Sequence, residues 1–114
     1  LKTELSGLIE HLFPNCEYRF NKDYFPFVDP GLEVEIKFNN VWIEVLGCGV
    51  IHNKILENLN INKKGFAFGL GLDRLAMILF GITDIRLFWT DDPRFLTQFT
   101  NNSVNKFKPY PTLK

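Results

Sequence analysis

No excess charge of either sign runs through this sequence: 13 Lys and Arg stand against 13 Asp and Glu. That balance excludes the overall positive field that drives non-specific nucleic-acid binding. The one basic run, Lys106, Lys108 and Lys114, reads as a solvated linker. Cysteine is scarce as well. Cys16 and Cys48 lie far apart without metal-ligand spacing, which argues against a disulfide framework or a zinc site and fits a reducing compartment. No stretch is long and apolar enough to span a bilayer, so no membrane partner is expected. There is no Walker-type phosphate loop and no Ser, His and Asp arrangement suited to a nucleophile. His11 and His52 stand alone and read as structural or surface residues.

What is present is apolar and aromatic. Of 114 residues 46% are hydrophobic and 12 are Phe, enough for one sizeable core and too few for two independent domains, so one globular unit is expected. The chain starts at Leu1, and residues 105–114 run out in Lys and Pro, which together suggest a piece of a longer protein.

Leu5, Leu8, Ile9 and Leu12 recur at helical spacing before Pro14-Asn15, predicting an amphipathic helix over residues 3–13. Residues 16–20 read as a short strand. Pro26 and Pro30 interrupt residues 23–31, which read as an irregular extended loop. Residues 33–38 and 41–46 flank Asn39-Asn40, two residues that tolerate positive φ, so a hairpin follows with a defined register. In it Phe38 faces Val41, Ile36 faces Ile43, Val34 faces Val45, Lys37 faces Trp42 and Glu35 faces Glu44. Gly47-Cys48-Gly49 is expected to end that strand, followed by a short helix over 51–59 and a polar turn over 60–64. Residues 65–71 alternate bulky and small side chains, predicting a strand with one nearly bare face. A helix over 72–80 follows, apolar on almost every side apart from Asp73 and Arg74 and ended by Gly81. Thr83 or Asp84 caps a further short helix, and Pro93 opens a last one through Phe99. The fold class is therefore α+β, an antiparallel sheet flanked by helices.

Several residues in this frame can carry chemistry. Glu33, Glu35 and Glu44 share the second face of the hairpin, and opposed carboxylates repel unless a cation, metal or substrate ammonium, lies between them. A solvated acidic face is the alternative for Glu33 and Glu35, whereas Glu44 sits between Trp42 and Leu46, where a lone carboxylate is less natural. Ala67, Gly69 and Gly71 leave room for a ligand against the backbone, or for close packing of a helix on the sheet. Arg74, in the first turn of an apolar helix, needs an anion: a protein carboxylate, or a phosphate whose oxygens suit two parallel hydrogen bonds. Phe25 and Phe27, held by the proline between them, can wall an apolar pocket or serve as core.

Gly65-Phe66-Ala67-Phe68-Gly69-Leu70-Gly71-Leu72-Asp73-Arg74-Leu75 resembles motif 3 of class II aminoacyl-tRNA synthetases. Phe25-Pro26-Phe27, Trp42-Ile43-Glu44-Val45-Leu46-Gly47-Cys48-Gly49 and Asp84-Ile85-Arg86-Leu87-Phe88 stand in the order found in phenylalanyl-tRNA synthetases, and the resemblance extends over residues 1–99. It implies that residues 1–104 are the C-terminal part of a class II catalytic core, with motif 3 at 65–80. Residues 105–114 would then be a linker towards an anticodon-binding domain. It further implies ATP-dependent ligation of phenylalanine to tRNA(Phe) through a phenylalanyl-adenylate; a non-catalytic paralogue binding amino acid or nucleotide is the alternative.

By the same resemblance Phe25 and Phe27 receive the phenylalanine ring, Ala67 forms the pocket floor, and Glu44 and Phe68 contact the substrate. Arg74 is the catalytic candidate, binding ATP together with Gly69 and Gly71. Asp29 and Glu44 are the candidate Mg2+ ligands, Asp29 being one methylene shorter than the glutamate of bacterial relatives. Asp73 replaces the glutamate that usually precedes the motif 3 arginine. Motif 1 and motif 2 lie upstream in the family, so this fragment alone is expected to be inactive. Phe88-Trp89-Thr90-Asp91-Asp92 and the tail 106–111 look most like the single-chain organellar form, in a mitochondrion or plastid; the bacterial α subunit, cytoplasmic, is the runner-up. The intact enzyme is accordingly expected as a homodimer or an α/β heterotetramer.

Overall fold

A computed structural model describes residues 1–99; the expected linker at 105–114, with Lys106, Lys108 and Lys114, lies outside the described residues. The fold is α+β. Helix α1 (Lys2–Leu12) precedes strands β1 (Tyr18–Phe25), β2 (Val28–Phe38) and β3 (Val41–Ile51), then α2 (Asn53–Asn58), β4 (Phe66–Leu70), α3 (Leu72–Phe80), a 3-10 helix (Ile85–Trp89) and α4 (Pro93–Leu96). The four strands form one antiparallel sheet in the order β1-β2-β3-β4.

One compact unit was expected, but contacts divide the chain into two, Leu1–Gly71 and a second that begins at Leu72. The boundary falls inside the motif that joins β4 to α3. In the first unit Leu5, Ile9 and Phe13 are buried, as are Val34, Ile36, Val45, Leu46 and Cys48 of the sheet. Full burial of an aliphatic side chain is worth roughly 1.5–3 kcal/mol, so these residues hold the unit together. The Tyr18 hydroxyl donates to Glu10 at 2.6 Å and the Lys2 ammonium stands 5.6 Å from the Phe20 ring centroid, tying α1 to β1.

The prolines fall elsewhere than a loop would put them. Residues 23–31 are largely strand, because Pro26 sits in the two-residue turn between β1 and β2 and Pro30 lies where the β2–β3 register shifts, between Val28 and Gly31. Neither position demands a ladder N–H. Asn39 and Asn40 have φ of 51 and 62, as the hairpin requires, and pairs Phe38 with Val41, Lys37 with Trp42, Ile36 with Ile43 and Glu35 with Glu44 follow. The next pair departs from expectation: Val34 meets Leu46, not Val45, since a bulge inserts Val45 as an extra residue. Nor does Gly47-Cys48-Gly49 end the strand, which runs on to Ile51.

In the second unit Leu75, Ile78, Ile82 and Phe95 are buried, but Leu72 is 71% exposed, so α3 is less apolar in its setting than its composition suggests. Phe80, Phe99, Phe95 and Phe88 stand edge to face in an unbroken chain, with centroids 5.2 to 6.2 Å apart. Asp84 caps the 3-10 helix and Asp92 caps α4, which ends at Leu96 short of Phe99. Each aspartate accepts from the backbone N–H and from the guanidinium of the arginine two residues on, Arg86 and Arg94.

Candidate active site

The bulge in β3 decides what shares a face. Strict alternation from Glu44 would turn Gly47 and Gly49 to the other side. With Val45 inserted, Glu44, Gly47 and Gly49 pair with Glu35, Glu33 and Gly31, and Gly47 and Gly49 pair in turn with Gly69 and Ala67 of β4. One face of the sheet therefore carries Glu44, Ala67 and a patch of glycine.

A cavity of about 310 Å3 lies on that face, lined by Phe25, Phe27, Glu44, Gly47, Cys48, Ala67, Phe68 and Gly69. The Phe25 and Phe27 rings stand 6.0 Å apart at an interplanar angle of 34°, with Phe27 half exposed. Phe68 pairs with Cys48, so alternation directs its side chain, 51% exposed, away from Ala67 and leaves main chain to meet the cavity. A methyl group placed at Gly69 would meet no atom within 4 Å, whereas at Gly49 it would stand 2.5 Å from the Pro30 carbonyl oxygen. The bareness at Gly49 is thus close backbone packing, and the bareness at Gly69 is open space.

The acidic face is partly neutralised from within. Arg19 Nε donates to Glu35 at 2.6 Å, and Asn21 Nδ2 donates to Glu35 at 2.5 Å and to Glu33 at 3.2 Å. The hydrogen bond from Arg19 holds the Glu35 carboxyl below its usual range. The Arg19 guanidinium also stacks 4.2 Å from the Trp42 ring centroid. Sequence reading had no partner for Glu35 because nothing in residues 16–20 gives the register that sets Arg19 opposite it, and Asn21 lay just beyond the expected end of that strand. Gly47 and Cys48 were missed as lining for a related reason, having been read as a strand end. Cys48 pairs with Phe68 and so turns its side chain to the opposite face, where it is buried and where burial pushes its thiol up.

Gly71 follows β4, its N–H donating to the Val45 carbonyl at 2.9 Å. Arg74 belongs to the second unit, exposed in the first turn of α3. Asp29 is exposed near the start of β2. A divalent cation such as Mg2+ needs several oxygen ligands. Among the described residues no group of three or more His, Cys, Asp or Glu is arranged to hold a metal ion, so Asp29 and Glu44 do not make a metal centre by themselves.

Residues 1–99 match the family model of the tRNA synthetases class II core domain (F). Over 112 residues the chain is 52% identical to the chloroplastic/mitochondrial phenylalanine-tRNA ligase of Arabidopsis thaliana, a match covering 96% of this chain and 26% of that protein. It is 47% identical over 121 residues to the mitochondrial phenylalanine-tRNA ligase of Mus musculus, covering 99% and 27%. To the phenylalanine-tRNA ligase alpha subunit of Coxiella burnetii it is 49% identical over 106 residues, covering 83% and 32%. The chain spans between about a quarter and a third of the length of these relatives. It belongs to the class II tRNA synthetase core-domain family (F), that of the phenylalanyl-tRNA synthetases.

Proposed function

We propose that this chain supplies the amino-acid pocket of an enzyme that ligates phenylalanine to tRNA(Phe) at the expense of ATP. The observation that carries the proposal is the cavity of about 310 Å3 bounded by Phe25, Phe27 and Ala67 with Glu44 in its lining. Two aromatic walls suit a benzyl side chain, since aromatic pairs at such separations gain about 0.5–1.5 kcal/mol beyond area burial. The carboxylate of Glu44 suits the substrate ammonium, and the absent side chain at Gly69 leaves room for the amino acid to lie along β4.

In the intact enzyme the phenylalanine carboxylate attacks the α-phosphate of ATP, forming phenylalanyl-adenylate and releasing pyrophosphate; a terminal ribose hydroxyl of tRNA then takes the acyl group. Arg74, three residues beyond Gly71, is assigned to the ATP phosphates, where a guanidinium stabilises the charge that builds in the transition state. Gly69 and Gly71 keep the approach to the nucleotide clear of side chains. Asp29 and Glu44 were the candidates for Mg2+, and no step is assigned to that ion on this chain. The single-chain organellar form, in a mitochondrion or plastid, is the favoured source. Chloroplastic/mitochondrial and mitochondrial relatives at 52% and 47% identity match 96% and 99% of the chain, which supports that assignment; alpha subunits match 83% to 87% of it.

Amino-acid-dependent exchange of pyrophosphate into ATP by the full-length protein tests the reading. Exchange with phenylalanine, and none with tyrosine or leucine, is the expected result. A folded full-length protein without exchange would be a non-catalytic paralogue.

A further inference from the structure

Phe25 and Phe27 are the two aromatic walls, yet the sheet treats them differently. Phe27 occupies the β1–β2 turn, half exposed, and its carbonyl oxygen accepts from the His52 N–H at 2.9 Å. Phe25 closes β1, and its ring reaches across β2 to β3. A Cβ built on Gly31 would stand 3.3 Å from Phe25 Cδ2, and one built on Gly47 would stand 2.8 Å from Cζ, 3.3 Å from Cε2 and 3.5 Å from Cε1. The ring therefore lies along two glycines, its base over Gly31 and its tip on Gly47.

The two contacts are of different kinds. At Gly31 the nearest atom to an added Cβ is the Asp23 carbonyl oxygen, at 2.5 Å, so that glycine is required by the pairing of β1 with β2. At Gly47 the three nearest atoms all belong to the Phe25 ring, and Gly47 does not occupy the left-handed region. Its bareness answers to the Phe25 ring and not to backbone conformation. Gly47 and Phe25 both line the cavity, so whatever lifts the ring tip moves one of its walls.

We propose that Gly47 is a positioning residue for the amino-acid pocket: it seats the tip of the Phe25 ring and so sets the pocket's width. The proposal rests on the phenylalanine reading of the cavity. A rigid ring cannot bend away from a methyl group 2.8 Å off, and carbon atoms come to rest at about 3.5–4.0 Å, so Gly47→Ala tips the ring by about 1 Å. A shift of that size in a contact surface built for one side chain is felt by the ligand.

The test is a double-mutant cycle in the full-length protein over Gly47→Ala and Phe25→Leu, with thermal midpoints and the KM for phenylalanine and for ATP measured for all four proteins. Gly47→Ala alone is expected to raise the KM for phenylalanine on the order of 10-fold, the scale of one misplaced methyl group in an apolar pocket, with the KM for ATP unchanged. In the Phe25→Leu background the same alanine should add little, because the flexible leucine yields to it. An equal effect in both backgrounds, or none in the wild type, overturns the seat. Should Gly47→Ala fail to fold, recovery of folding by Phe25→Leu supports the seat, and failure of the double variant overturns it. Ala67→Gly separates the two levels. If it leaves selectivity for phenylalanine over para-substituted analogues unchanged, the pocket reading falls and takes the seat with it; if selectivity broadens while the cycle shows no coupling, the seat alone is wrong.

Discussion

At the scale of the residue, glycine has three distinct uses on one sheet face. Gly49 gives way to the Pro30 carbonyl and Val28, Gly47 to an aromatic ring, and Gly69 to open space. Gly69→Ala is therefore expected to leave the thermal midpoint unchanged while its methyl group enters the cavity, raising the KM for phenylalanine on the order of 10-fold, as a single misplaced methyl group does in an apolar site. Steady-state kinetics beside a melting curve checks both halves. Composition alone could not separate these roles, because a bare strand face looks the same whether backbone, ring or ligand lies against it. Arg19 was equally invisible: its pairing with Glu35 and its stacking on Trp42 depend on a register that nothing within β1 announces.

At the scale of the element, local chemistry governs turns and caps. Asn39 and Asn40 both adopt positive φ, where a side chain branched at Cβ is strained. Asn40→Val should lower unfolding free energy by about 1–2 kcal/mol in denaturant titration. In the 3-10 helix the Asp84 carboxylate accepts from the N–H and the guanidinium of Arg86, and the latter bond in particular lowers its pKa from 3.8 to about 2. A carboxyl depressed in the folded state contributes its stabilisation above the unfolded pKa and loses it as pH falls through the folded value. The Asp84 contribution is thus complete above about pH 4 and disappears towards pH 2. Following the Asp84 carboxyl carbon by NMR, the midpoint should lie near 2 in the native protein, and Arg86→Ala should return it towards 3.8.

At the scale of the whole molecule, motif 3 straddles two compact units, β4 in one and α3 in the other. Arg74 is exposed in the first turn of α3, so Arg74→Ala should leave the folding transition of the intact protein in place. Its loss should lower phenylalanine-dependent pyrophosphate exchange by about 1,000-fold, the low end for arginines that stabilise phosphoryl transfer. Exchange at the wild-type rate would remove Arg74 from the ATP site. By itself the sequence determined the elements whose signals are local: α1 from its apolar spacing, the β2–β3 hairpin from Asn39-Asn40, and family membership from short motifs, while the choice of Asp84 over Thr83 as a cap, and Asp92 as the cap of α4, came from the structure. Resemblance to the family put forward Phe25, Phe27, Glu44 and Ala67 as pocket candidates, and these four line one cavity. Only the tertiary structure decided that the Val45 bulge brings Glu44 onto the face of Gly47 and Ala67, and that Pro26 and Pro30 sit in a turn and at a register shift within a continuous hairpin. Periodicity along one strand reports its own two faces, whereas a bulge or a proline is accommodated by the neighbouring strand, whose register no single segment contains.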